Sequence, residues 1–224
     1  MVVAEAKPIA EILEMVKDCR QKVVVAGCKG CVTVCNSGGE KEVGILASEL
    51  RIARRAAGQD LEVLEYTCER QCDPEYIEPL DDLVKDADAV VSIACSVGPQ
   101  YIAARYPYLA VYPGLNTVFI GGSVEHGVFK EYCQACGTCI IGDFGGLCPV
   151  ARCAKQLMNG PCGGSSGGKC EVGKGTIDCV WHLIYERLKN LGQLHKLEQP
   201  WGYKNWATSR EAGPRTMIRE ELRK

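Results

Sequence analysis

The chain has 224 residues, 15 cysteines, only three histidines, a net charge of −2 and a pI near 6.0. That length allows one domain or two small ones, and a hydrophobic content of 46% supports a real core. The balanced, slightly acidic composition argues against nucleic acid or an anionic membrane surface as a main partner, and no apolar run approaches the roughly 20 residues needed to cross a bilayer.

The beginning of the chain carries Glu5, Glu11 and Glu14 and has no continuous apolar stretch, so no signal peptide is expected. The expected location is therefore the cytoplasm. Disulfides are rare in such a reducing compartment. Clustered cysteines there point to metal binding or redox chemistry. An isolated thiol such as Cys19 is expected to be a small buried hydrophobe.

Residues 8–19 place Ile9, Ile12, Leu13 and Val16 on one face, an amphipathic helix. Lys22 to Ala26 is a β-branched run that reads as a buried strand. It leads into Gly27-Cys28-Lys29-Gly30-Cys31, then Cys35 and Gly38-Gly39. A helix follows from about Glu40 to Ala57, with Val43, Leu46, Ala47, Leu50 and Ala53 inward. A second strand, Leu61 to Thr67, ends at Cys68-Glu-Arg-Gln-Cys72. A short acidic helix covers about Glu75 to Lys85. A third strand, Ala89 to Ala94, ends at Cys95-Ser96-Val97-Gly98-Pro99. Gln100 to Tyr106 is a short helical stretch, and Leu109 to Tyr112 and Thr117 to Ile120 are further strands.

Strands alternating with helices predict an α/β fold, a doubly wound parallel sheet of the Rossmann or flavodoxin kind. Ligands of such sheets sit outside the carboxyl ends of the strands. Cys28, Cys31, Cys72 and Cys95 all follow a strand end. A metal centre held by four of Cys28, Cys31, Cys35, Cys72 and Cys95 is expected there, with Cys28 and Cys31 the firmest members and Cys68 spare. A dinucleotide site is the rival for this edge. Gly27 and Gly30 do not complete a G-x-G-x-x-G, and Glu65 and Glu69 are weak ribose binders.

Gly121-Gly122-Ser123 marks a boundary, giving an α/β domain over 1–122 and a cysteine-rich domain over 123–198. Seven of the 15 cysteines fall within the 38 residues from Cys133 to Cys170. Cys133, Cys136 and Cys139 repeat at a spacing of three and are followed by Cys148-Pro149. A Cys-x2-Cys-x2-Cys run with a later Cys-Pro suits a four-iron cluster. Cys153, Cys162, Cys170 and Cys179 form a second set, for another cluster or a structural zinc; spacing does not separate the two. The segment has many glycines and little apolar periodicity, so metal–thiolate bonds would replace the missing core.

Three lookalikes fail. Gly163-Gly-Ser-Ser-Gly-Gly168-Lys169 resembles a phosphate-binding loop, but Cys170 stands where Ser or Thr is needed and no strand precedes it. Cys136-Gly-Thr-Cys139 resembles a thioredoxin-type pair, but Cys133 adds a third thiol at the same spacing. His182 is read as a partly exposed helix residue rather than a ligand. Thr176 to Leu191 is an amphipathic helix with Ile177, Val180, Trp181, Ile184, Leu188 and Leu191 on its apolar side. The tail, 199–224, is polar and basic and carries Trp201, Tyr203 and Trp206. Two readings stand: a tail folded on its own domain, or an arm that docks on a partner.

Gly27-Cys28-Lys-Gly-Cys31…Cys35, Gly38-Gly39-Glu40-Lys41-Glu42-Val43, Arg70-Gln71-Cys72 and Cys95-Ser-Val-Gly98-Pro-Gln100 are joined by Cys148-Pro…Arg152-Cys153-Ala-Lys155…Asn159-Gly-Pro-Cys162-Gly-Gly…Cys170-Glu-Val…Cys179-Val-Trp181. Together, over roughly residues 20–210, they resemble the methylenetetrahydrofolate reductase C-terminal domain family. As a free-standing chain the protein is similar to the small cysteine-rich subunit of the two-subunit reductase of acetogenic bacteria. The resemblance implies [4Fe–4S] clusters, two or more, with zinc as an alternative at one site. It also implies a larger TIM-barrel partner that carries the flavin and the folate. The implied role is electron transfer to that flavin, with reduced ferredoxin as a candidate source. A structural zinc scaffold for the same complex is the alternative. No His/Asp/Glu constellation offers hydrolytic or acid–base chemistry, so no catalytic residue is assigned.

Overall fold

The computed structural model describes residues 1–223. The chain divides into two compact units, Met1–Phe129 and Lys130–Lys224.

The first unit opens with a strand, β1 (Val2–Ala6), and a short helix, α1 (Ile9–Met15). Then come β2 (Lys22–Cys28), a single helical turn α2 (Cys31–Val34) and the long helix α3 (Glu40–Ala56). Glu42 caps α3 by accepting from the Gly39 N–H at 3.0 Å. After β3 (Glu62–Cys68) a helical turn, α4 (Pro74–Ile77), runs into a 3-10 segment at Glu78–Asp82. Next are β4 (Ala89–Ile93), α5 (Val97–Arg105), β5 (Ala110–Pro113) and the 11-residue β6 (Leu115–Glu125). A turn at Gly127 leads to β7 (Val128–Cys133), within which the division between units falls.

β3-β2-β4-β5 form a four-stranded parallel sheet, with β2 in register against both β3 and β4. The run Val23-Val24-Val25-Ala26 serves both faces of this sheet. Val23 and Val25 pack with Leu46, Leu50 and Ile12 from α3 and α1. Val24 and Ala26 pack with Ile77, Leu80 and Ile102 from α4, the 3-10 segment and α5. Helices on both faces make the sheet doubly wound. Strand order reverses between β2 and β4, so the switch point lies where those two strands end.

β6 does not extend this sheet. It pairs antiparallel with β1 in a separate three-stranded sheet of order β1-β6-β7. Gly121 and Gly122, read as a boundary, lie inside β6 instead. β1 and β7 escaped the periodicity argument; β1 buries only Val3 and Ala4.

A clasp holds the far face of the parallel sheet. Arg105 donates to both Asp81 oxygens at 2.8 and 2.6 Å, and the Tyr106 hydroxyl donates to Asp81 Oδ1 at 2.5 Å. The guanidinium first, and the phenol second, hold the Asp81 carboxyl down to about 2. A depressed carboxylate stabilises the fold above its ordinary pKa and loses that contribution as pH falls through the depressed value. Urea midpoints measured at about pH 5 and about pH 2.5 should therefore fall more steeply in the wild type than in Asp81→Asn. The difference is small, because the ion pair faces solvent.

The second unit has little regular structure: a turn α6 (Pro149–Arg152), the helix α7 (Val180–Asn190) and several 3-10 turns. α7 begins later than its apolar pattern suggests. Cys179 is its N-cap, and Ile177 and Leu191 are exposed. Its buried stripe is Val180, Trp181, Ile184 and Leu188, which meets Ile140, Phe144 and Val150. No helix among the described residues is long and apolar enough to cross a membrane.

Candidate metal-binding thiol sites

At the switch point, the loop from Cys28 to Gly38 folds back on itself. The Cys28 N–H donates to Gly38 O at 2.9 Å, and Thr33 Oγ1 donates to Cys28 O at 2.9 Å. A Cβ on Gly38 would fall 2.0 Å from Ile93 O, so only glycine lets this loop close against the end of β4. Cys28 and Cys68 are direct partners at the ends of β2 and β3. The Cys28 thiol faces Glu69 O at 3.9 Å, and the Cys68 thiol faces Gly27 O at 3.7 Å.

The Cys72 turn is held by Gln71, which is fully buried. Its Nε2 donates to Ala26 O at 2.8 Å and Gly27 O at 3.0 Å, and its Oε1 accepts from Ser92 Oγ at 2.6 Å. One side chain thus ties the ends of β2 and β4 to the loop bearing Cys72. Gln71→Ala should cost about 1–3 kcal/mol and release that loop. The readouts are a lower urea midpoint and faster alkylation of Cys72 in the folded protein.

Electrostatics report the same grouping. Burial first, then the neighbouring Cys28 thiol, pushes Cys68 up to about 12. Burial, then Cys95 and Cys28, raises Cys72 above its ordinary value. Thiols held protonated are poor nucleophiles at neutral pH, which disfavours Cys68 and Cys72 as nucleophiles of thiol–disulfide exchange. A bound cation reverses the preference by stabilising thiolates.

Of the five cysteines expected here, Cys28, Cys72 and Cys95 gather near one another. Cys31 begins α2, half-buried. The Cys35 thiol donates elsewhere, to Cys31 O at 3.5 Å and Val2 O at 3.7 Å. Cys68, set aside on its sequence position, joins the group through strand register. Cys19 is buried in the core beside Ile12 and Val16.

In the second unit, Cys133 and Cys139 are exposed, while Cys136 and Cys148 are half-buried against the unit's core. The tail straps this cysteine loop. Thr208 Oγ1 accepts from the Thr138 N–H at 3.2 Å and donates to Cys136 O at 3.3 Å. Lys204, only 3% exposed, donates to Thr138 O at 2.7 Å, and Arg215 donates to Ala135 O at 2.8 Å. Gly137 (φ +86°) packs so close to Thr208 that a Cβ would lie 2.2 Å from its carbonyl oxygen. Trp201 and Trp206 pack on the same core, whereas Tyr203 is 97% exposed.

Farther on, Cys153, Cys162, Cys170 and Cys179 line one narrow cavity with Arg152 and Lys155. His182 is exposed on α7. The non-glycine residues with positive φ are Asn36, Ala135, Gln156 and Lys174. Each sits beside or between cysteines, and each costs roughly 1–2 kcal/mol of left-handed strain. Among the described residues, no group of three or more Cys, His, Asp or Glu side chains is placed to hold a metal ion. A polar cleft of ≈ 510 Å³, lined by Arg20, Arg51, Arg55 and Gln59, lies at the opposite strand ends and contains no cysteine.

Neither a curated protein nor a solved structure matches the chain. Residues 112–207 match the family described as Methylene-tetrahydrofolate reductase C terminal. That span holds all eight cysteines from Cys133 to Cys179 and, of the strap residues, Lys204. That match covers less than half of the chain, and over residues 112–207 the chain is similar to the methylene-tetrahydrofolate reductase C-terminal family.

Proposed function

We propose that this chain is the iron–sulfur electron-transfer subunit of a methylenetetrahydrofolate reductase complex. It passes electrons to the flavin of a TIM-barrel partner that reduces methylene- to methyl-tetrahydrofolate, and reduced ferredoxin is the candidate donor. The supporting observations are the approach of Cys28, Cys68, Cys72 and Cys95 to one another at the switch point, and the sequence run Cys133, Cys136 and Cys139 with the later Cys148, of which Cys136 and Cys148 pack on the second unit's core.

These donor sets suit all-thiolate iron–sulfur ligation. A [4Fe–4S] cluster supplies one-electron transfer at a potential set by nearby charge and hydrogen bonds. The chain's own residues hold the thiols and set that charge. Gln71 fixes the switch-point turn, while Lys204 and Arg215 bring positive charge to the Cys133–Cys139 loop. Positive charge there favours the reduced, more negative state of a bound group. Tyr203 is the exposed aromatic of the tail and the anchor proposed for the flavin-carrying partner.

Protein purified without oxygen should contain iron and acid-labile sulfide in matching amounts and give a paramagnetic signal on reduction. Zinc alone, with no broad visible absorption, would end this reading.

A further inference from the structure

One edge of the parallel sheet is left open by the first unit. β3 is the outermost strand on that side. The Glu62 N–H donates to Gln21 O at 2.9 Å, and Cys68 O accepts from the Lys29 N–H at 2.8 Å. Peptide groups of alternate residues in a parallel ladder face the same neighbour. The even-numbered residues of β3 therefore bond to β2, and Val63, Glu65 and Thr67 direct their N–H and C=O groups outward. Arg51 Nη2 covers one of these, donating to Val63 O at 2.5 Å. The three outward N–H groups have no strand to pair with, which makes a template for a further strand. The opposite edge is blunted: β5 has only four residues and ends in Pro113.

Space is available along the open edge. The ≈ 510 Å³ cleft is lined by Leu61 to Leu64, and a second of ≈ 180 Å³ lies beside Glu65, Tyr66 and Thr67. Together they flank a strand about 23 Å long.

Charge beside the edge specifies the occupant. Arg20, Arg51 and Arg55 line the larger cleft with two carboxylates, Asp60 and Glu62. Glu62 already meets Lys22 at 4.0 Å, and Arg51 meets Glu65 at 2.7 Å. Among the described residues, the exposed side chains of Arg20 and Arg55 form no ion pair or hydrogen bond. Behind them Arg54, 6% exposed, donates to Gln59 Oε1, so Gln59 has its N–H groups to offer the cleft. Arg51 and Arg55 are one turn apart on α3, a Cβ spacing of about 5–6 Å. Side chains at every second position of a strand are about 6.6–6.8 Å apart. A carboxylate at alternate positions of an added strand matches that pair of guanidinium groups.

We infer that the free edge of β3 takes an extended, acidic segment of another polypeptide as an added strand. Its peptide groups pair with Val63, Glu65 and Thr67, and its alternate carboxylates meet Arg51 and Arg55, with Arg20 at the end of the cleft. The cleft holds no cysteine, and the assignment is independent of the electron-transfer role.

The test uses the full chain purified without oxygen and three synthetic peptides. The first is Glu-Thr-Glu-Val-Glu-Thr-Glu. The second carries Lys in place of each Glu, and the third is the first methylated at every peptide nitrogen. The acidic peptide should bind in titration calorimetry and slow hydrogen exchange over residues 62–68. The other two should bind at least roughly tenfold more weakly. Arg20→Glu combined with Arg55→Glu should weaken the acidic peptide roughly tenfold. No binding of the acidic peptide, protection confined to other segments, or an unaffected double variant would each overturn the assignment. Equal binding of the methylated peptide would also overturn it, by showing a cleft that holds anions without adding a strand. The peptide comparison is made on the wild-type chain, so it decides the matter even if the double variant does not fold. Iron and sulfide content decides the relay reading separately.

Discussion

Cys136→Ala is expected to remove the iron of one cluster, lowering total iron to about half, and to abolish electron delivery to the flavin partner. Cys136 is the central thiol of the Cys133–Cys139 run and the only one of the three that is half-buried rather than exposed. Its carbonyl accepts from Thr208 Oγ1, and the next residue, Gly137, is locked against the tail. The loop backbone is therefore placed independently of the thiol, and alanine removes a ligand without removing the fold. The first unit should keep its urea midpoint, since its two cores draw on no residue beyond Leu115. Cys19→Ala is the control. It deletes a buried sulfur from the core and should cost about 1 kcal/mol with iron unchanged. Unaltered iron in Cys136→Ala would remove this thiol from the ligand set.

The largest loss of stability is expected for Trp181→Ala, about 3–5 kcal/mol. Trp181 is 3% exposed and meets the Phe144 ring edge-on with centroids 5.4 Å apart. Its Nε1 donates to Leu157 O at 3.2 Å. Gly160 is pressed on the indole so closely that a Cβ there would sit 2.3 Å from the ring. A unit with so little secondary structure has few other large apolar contacts to absorb the deletion. Melting of the second unit at lower temperature, with the parallel sheet intact by hydrogen exchange, is the expected signature. A single cooperative transition shifted as a whole would show that the two units unfold together instead.

The parallel sheet was legible because its strands are written in one physical code. Val23-Val24-Val25-Ala26 is apolar at consecutive positions, which only a strand buried on both faces requires. β1 was not legible. Two buried residues give no period, and its partner in β6 lies more than a hundred positions away. β6 was read only over Thr117 to Ile120, since most of its side chains are exposed and Gly121-Gly122 reads as punctuation.

The cysteines at the strand ends were legible from spacing alone, yet the pairing of Cys28 with Cys68 was not. It depends on the register between two parallel strands, which no single stretch of sequence records. The strap was hidden most completely. Lys204 and Ser209 are polar residues that end up buried, and composition places such residues in solvent. Their burial is satisfied by backbone partners, Thr138 O for Lys204 and Trp206 O for Ser209.

The strap also sets an order of events during synthesis. Thr208 follows Cys136 by 72 positions, so the ribosome delivers the three-cysteine loop well before the residues that close over it. Throughout that interval the loop carrying Cys133, Cys136 and Cys139 has none of the tail hydrogen bonds that hold it in the folded chain. Once Lys204, Thr208 and Arg215 emerge and dock, they fix the loop backbone at Ala135, Cys136 and Thr138.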